Sequence, residues 1–260
     1  MNKLNWLVVI FSGLSAILLS FIIFPILLTI FSTPIHNITA ELQNQEFLSA
    51  LSLTLTAATI ATSLTLITGI PLAYLLARIS FRGKTIVESL VNLPIIVPHT
   101  AAGIALLFVF GRQGILGEIL SKLGIVFLDS LPGIVVGMAF VSLPFLVTMS
   151  AESFRAVETD LEQAAWVDGA SHWKTFWKVI LPLSWRGVLS GTMMMWARGI
   201  SEFGAVVILA YHPKTVPVLI FERFEGYGLS AGQTPAVILI LVVFVIYIVV
   251  RSILLQKKSN

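Results

Sequence analysis

"EQAAWVDGASHWKTFWKVILPL", residues 162–183, is a polar interval in the middle of a chain that otherwise reads as oil. It places Glu162, Asp168, His172, Lys174 and Lys178 among Trp166, Trp173 and Trp177. The chain around it is 57% hydrophobic and 11% charged over 260 residues. Soluble domains carry about a quarter charged residues, so a water-exposed globular surface cannot be built from this composition and the chain is read as a membrane protein. Cysteine is absent, which excludes disulfides, thiolate metal sites and cysteine nucleophiles. The net charge of +3 is assigned to basic residues in cytoplasmic loops rather than to a nucleic-acid partner.

A membrane-spanning helix needs about 20 mostly apolar residues. Runs that meet this are 6–31, 47–77, 89–110, 131–151, 184–210 and 234–250, and the fifth is unusual because Arg198 and Glu202 lie inside it. The first run is too long for a signal peptide and is followed by no small-residue cleavage site. The expected fold is therefore all-α, a single transmembrane domain over 1–260 with six spanning helices. Lys3, Arg78, Arg82, Lys84, Arg155, Lys174, Lys178, Arg186, Arg251, Lys257 and Lys258 fall in one set of loops, and only Arg112, Lys122, Lys214 and Arg223 in the other. The richer set is cytoplasmic by the positive-inside rule, which puts both termini and residues 156–183 inside the cell.

Within the polar interval, Thr159 and Glu162 have the spacing of a capping box, in which each side chain satisfies a backbone N–H at a helix start. A short helix is expected over 160–168. Gly169 suits the left-handed residue that closes it. Ser171 is placed to cap a second helix running to about Leu181, with Pro182 marking the approach to the fifth span. Leu161, Ala164, Ala165 and Asp168 recur at helical spacing, while Trp166, Trp173, Phe176, Trp177 and Ile180 supply a large aromatic and aliphatic contact area. A pair of interfacial helices anchored by tryptophan would account for Trp177 and Ile180. It accounts less well for small residues around a tight turn, which have the shape of a surface made to be approached. A DNA-reading helix-turn-helix needs its own core and a basic face, and here apolar spans press in from both sides.

The residues carry a resemblance. The segment is similar to the EAA loop of binding-protein-dependent ABC importer permeases, with the pattern falling on Gln163-Ala164-Ala165, Gly169, Val179 and Leu181-Pro182. Gln163 stands where that pattern has Glu, with Glu162 one residue earlier, and Val179 stands where it has Ile. "LPIIVPHTAAGIALLFVFGRQGILG" (93–117) and "ARGISEFGAVVILAYHPKTVPVLIFERF" (197–224) resemble the molybdate and tungstate branch, with related versions in sulfate permeases. The resemblance implies that the loop docks into a groove on a separate ATP-binding cassette ATPase and follows its movement. It implies a docking surface of Glu162, Gln163, Ala164, Ala165, Trp166, Asp168, Gly169, Ala170, Ser171 and Trp173. It also implies a plasma-membrane location, a second copy of the chain, and an extracytoplasmic molybdate/tungstate-binding protein received by loops 111–132 and 211–233. ATP and Mg would sit on the partner ATPase, and no cofactor on this chain. The same machine carrying sulfate or another oxyanion is the alternative.

Inside the membrane, Arg198 and Glu202 would each cost about 2.5–3.5 kcal/mol at the centre of a span. They are four residues apart and can pair on one helical face. Two roles stay open for them: a structural ion pair facing the bundle, or a positive field for an anion with its neutralising partner. Pro94 and Pro98 bracket the start of the third span and should interrupt its hydrogen bonding, giving either a bare kink or a half-helix start that suits an anion. Candidate path or gate residues are His99, Thr100, Gly103, Thr148, Arg198, Ser201, Glu202 and Phe203. The hydroxyls of Ser142, Thr148, Ser190, Thr192 and Ser201 are expected mainly to bond back to their own helices. His36, His99, His172 and His212 fall in separate regions, and neither a zinc-protease motif nor a phosphate-binding G-x-x-x-x-G-K-[ST] loop occurs. The chain is therefore read as non-catalytic, with an intramembrane hydrolase as the minor enzyme alternative. An unpartnered channel would have no need of the loop.

Overall fold

The computed structural model of the chain describes residues 6–256. Lys3, Lys257 and Lys258 of the charge count, and the chain ends whose side that count predicts, lie outside the described residues. Among the described residues every regular element is helical. In chain order these are α1 Trp6–Phe31, α2 Ile35–Glu41, α3 Gln45–Arg78, α4 Lys84–Ile96, α5 His99–Phe110, α6 Ile115–Ser121 and α7 Leu131–Arg155. They continue with α8 Thr159–Val167, α9 His172–Thr175, a π-helical stretch Phe176–Ile180, α10 Leu181–Ile200, α11 Gly204–Leu209, α12 Val216–Tyr227 and α13 Leu229–Gln256.

Among the described residues, four helices are long and apolar enough to cross a membrane: α1, α3, α7 and α13, the last over Leu229–Val249. The pair α4–α5 makes a fifth only if it is counted as one span, because the two pieces meet at 114°. The sequence expectation of six spans is thus met by fewer continuous helices. The third predicted span breaks at Val97 and Pro98, whose ψ angles of 133° and 131° lie outside the helical region. Proline has no N–H to continue the ladder, and it pushes the residue before it out of the helical region. The fifth ends at Ile200 and resumes at Gly204.

Helices α3, α7 and α10 form the centre. The buried stripe of α3 reads Ala50, Thr54, Ala57, Ala58, Ala61, Thr62, Thr65, Gly69, Ala73 and Leu76. Lipid tails are as apolar as leucine, so close approach through small side chains, rather than apolar burial, holds helices together in a bilayer. Larger side chains from the facing helices, among them Met138, Val141, Leu146 and Met195, fill the space between them. At about 1.5 Å per residue, the 34 residues of α3 outrun a hydrocarbon core about 30 Å thick. Its two ends therefore project, and Arg78 closes its last turn. Helix α1 buries none of its residues. It is tied to α13 through Gln233, whose Nε2 donates to Thr29 O at 3.2 Å, Ser32 Oγ at 2.9 Å and Thr33 Oγ1 at 2.8 Å.

Candidate functional site

The polar interval folds as two short helices around a tight turn. Gly169 has φ +82°, and a Cβ there would meet nothing within 4 Å. Glycine is thus favoured by the left-handed backbone and not by packing. The turn is closed by Gly169 N–H to Trp166 O at 3.0 Å and Ala170 N–H to Ala165 O at 2.9 Å. Ser171 caps α9 by accepting the N–H of Lys174 at 3.3 Å. The expected capping box at 159–162 does not form. Helix α8 begins after Glu158 with no side-chain cap, because Glu162 turns inward to Arg78, 2.5 Å away, leaving its side chain 5% exposed. The second helix is also not continuous to Leu181. After one turn it widens into the π-helical stretch, then re-enters α geometry with Pro182 in the first turn of α10. Phe176 in that stretch packs edge-on against Tyr74 of α3 and Phe154 of α7, at ring distances of 5.2 and 5.9 Å.

Gln163, Ala164, Trp166, Asp168, Gly169, Ser171 and Trp173 are exposed, and Ala165 and Ala170 half-buried. Trp166 stacks edge-on with His172 at 4.6 Å. Sequence reading passed over Val167, which is 88% exposed at the last position of α8 beside Trp166. The signal was there: an apolar residue directly before a helix-closing Asp-Gly. It also took Arg78 and Arg155 only as topological charges, whereas Arg78 holds the loop to the bundle through Val157 and Glu162 and Arg155 joins α7 to α3 and α4 through Leu76 and Glu88.

The intramembrane residues gather where two interrupted helices meet. His99 opens α5 and Glu202 lies just before α11, and these short helices pack closely. A Cβ on Gly204 would come within 2.7 Å of His99 Cβ, and one on Gly103 within 2.9 Å of Ile208 Cβ, so both glycines are needed for that approach. The expected Arg198–Glu202 pair forms at 2.8 Å and His99 joins it, with Nδ1 3.2 Å from the same carboxylate oxygen. Arg198 Nη2 lies 2.9 and 3.0 Å from the two ring nitrogens of His99, against the ring rather than along one lone pair. Glu202 is fully buried, and its other oxygen accepts the N–H of Ala205 at 2.8 Å. Arg198 keeps 23% of its side chain exposed and donates to Ser201 Oγ at 3.3 Å. Thr100 and Ser201 are exposed beside the cluster, and Phe203 turns away to pack on Phe221 at 4.8 Å. Thr148 is not brought to it. Its hydroxyl donates to Asn92 Oδ1 at 3.1 Å and so fixes α4 on α7. Ser142, Ser190 and Thr192 bond back to Met138, Arg186 and Val188 on their own helices.

Residues 69–255 match the family described as "Binding-protein-dependent transport system inner membrane component". The chain belongs to this family. As a member of it, the protein is a multi-pass membrane component of an ABC importer. This permease is 36% identical over 261 residues to the molybdate/tungstate transport system permease protein WtpB of Pyrococcus abyssi, covering 100% of both chains. It is also 36% identical over 216 residues to a probable sulfate transport system permease protein of Zygnema circumcarinatum, covering 82% of this chain and 75% of that one. Among solved structures, the permease fold is shared with a bacterial alginate ABC transporter in complex with its alginate pentasaccharide-bound periplasmic protein. The TM-score is 0.78 at 16% identity, over 99% of this chain and 97% of that one.

Proposed function

We propose that this permease imports molybdate or tungstate as one of two copies lining a pathway with six spans per copy. An extracytoplasmic binding protein would supply the anion, and a separate ATPase would drive alternating access. The full-length similarity to molybdate/tungstate permeases carries the reading, and the exposed turn at 163–173 supports ATPase docking through a shaped surface. The uncovered apolar length of α1 fits a second copy and lipid as its neighbours. The proposed anion path runs past the exposed sides of Thr100, Ser201 and Arg198, where hydroxyls and a partly neutralised cation can pass an anion without trapping it. Conduction requires release as well as binding.

A second reading has its own support, since the sulfate permease relative is equally identical over a shorter stretch. Reconstitution with the ATPase and binding protein in vesicles separates the two. Labelled molybdate should enter in an ATP-dependent way and be competed by tungstate, with sulfate in large excess competing weakly. Equal competition by sulfate would replace the first reading with the second.

A further inference from the structure

At the cytoplasmic end of the bundle, two arginines reach across each other. Arg78, the last residue of α3, donates from Nη2 to the carbonyl of Val157, just beyond α7, at 2.8 Å. Arg155, the last residue of α7, donates from Nη2 to the carbonyl of Leu76 in α3 at 3.1 Å. Each guanidinium thus satisfies a carbonyl at the end of the opposite helix, where the last carbonyls lack intrahelical donors. Each arginine also holds a carboxylate on a third element. Arg78 holds Glu162 of α8, with the two side chains 11% and 5% exposed. Arg155 holds Glu88 of α4 at 2.5 Å, with side chains about a third exposed. Helix α4 is fixed to α7 again one turn further on, by Thr148 and Asn92. It then runs to the break at Pro98 that presents His99 to Glu202.

We infer that Arg78, Arg155, Glu162 and Glu88 form a crossed clamp that makes α8 and α4 move as one body, so that displacement of the docking helix reaches the His99 end of α4–α5. Glu162 acts in it as a positioning residue on the inside of α8, and the ATPase meets only the outer face. A buried pair suits this task. On the α8 side, removing one partner strands a charge, so the Arg78–Glu162 pair resists opening when load is applied; on the α4 side, the partly exposed Arg155–Glu88 pair is backed by the Thr148–Asn92 bond. The crossing adds direction: α3 and α7 cannot slide along each other without breaking a carbonyl contact at both ends of the cross.

The inference rests on the reading of the 163–173 surface as the ATPase contact, and the experiment keeps the two apart. The complete complex with ATPase and binding protein is purified and reconstituted in three forms: wild type, Glu88→Gln, and Arg78→Gln combined with Glu162→Gln. The double change removes both buried charges together and leaves amides that can still bond. In both variants the ATPase should copurify and ATP hydrolysis should stay within about twofold of wild type. Anion uptake per ATP should fall about tenfold. Combining all three changes should cost no more than either set alone, because the links act in series. Uptake per ATP at the wild-type level would overturn the clamp. So would loss of the ATPase from the double variant, which would make Glu162 a docking contact after all. Loss of folded protein in both variants would show a folding element and also overturn it. A wild-type complex that neither holds an ATPase nor takes up anion would instead overturn the proposed function, and the clamp's transmitting role with it.

Discussion

The backbone N–H of Ala205 donates to Oε1 of Glu202 at 2.8 Å, so the carboxylate buried beside Arg198 also opens helix α11. One side chain thereby neutralises an intramembrane cation and satisfies an amide that has no partner of its own at a helix start. This joint duty keeps both charges partnered at the break between α10 and α11.

It also ranks the variants. Arg198→Met leaves a buried carboxylate with His99 as its remaining side-chain partner and should cost about 3–5 kcal/mol of stability. Glu202→Leu should be at least as severe because the Ala205 contact goes as well. Glu202→Gln retains a carbonyl oxygen for Ala205, so Arg198→Met with Glu202→Gln should recover most of the loss. Thermal unfolding in detergent, followed by tryptophan fluorescence, reads this directly. Uptake by the double variant should return to within about fivefold of wild type. A folded double variant with no uptake would instead assign Arg198 to the anion's field.

Gly169 offers a cleaner separation of docking from folding. Its left-handed backbone makes any L-residue cost about 1–2 kcal/mol locally, yet open space surrounds the missing side chain. Gly169→Trp should therefore express and fold, with its melting point shifted by a few degrees at most. What should fail is copurification of the ATPase, or stimulation of its hydrolysis by the loaded binding protein. Normal transport in this variant would leave the segment as an interfacial anchor.

Much of this was legible beforehand, and the failures have physical causes. The turn at Gly169, the Ser171 cap and the Arg198–Glu202 pair follow from local spacing, and each appears in the structure. The Thr159–Glu162 box was legible by the same rule but did not form, because Arg78, far away in sequence, competes for the carboxylate. The same long-range origin hid His99's place beside Glu202 and Thr148's bond to Asn92. The break in the third run was legible from Pro98, whereas Pro94 stays inside α4 and interrupts nothing; hydropathy alone hides the 114° angle, since both pieces are apolar.

Topology can be tested on exposed positions of this cysteine-free chain. Ser171 lies on the proposed cytoplasmic turn and Gly226 near the end of α12, exposed and with nothing within 4 Å of an added Cβ. Single cysteines at 171 and 226 should react with an impermeant maleimide from opposite sides of intact cells or oriented vesicles, 171 from the cytoplasm only. Labelling of 171 from outside would reverse the charge-based orientation and remove the docking assignment together with it.

The ion-pair cluster around Glu222 carries its own titration signature. Lys214 donates to Glu222 at 2.6 Å, Tyr211 donates to Glu222 at 3.0 Å, and Lys214 also reaches Glu46 at 3.1 Å. Arg223 pairs beside them with Glu41 and Glu46. The hydrogen bond from Lys214 holds the Glu222 carboxyl below its ordinary value, and the bond to Glu222 raises the Lys214 ammonium above its own. Tyr211 is raised as well, since its proton is held by Glu222. A lowered carboxyl contributes stability that is complete above the ordinary glutamate pKa of about 4.3 and lost as pH falls through its folded value. The raised lysine and tyrosine contribute stability that is complete below about pH 10 and lost as pH rises through theirs. The melting-point gap between wild type and Glu222→Gln should therefore be flat from about pH 5 to 9 and narrow on both sides. Its plateau should correspond to no more than about 1 kcal/mol, because the pair is partly exposed. Salt should shrink it further. A gap that widened as pH dropped below 4 would contradict the sign of the Glu222 shift and with it the pairing of α12 through Lys214.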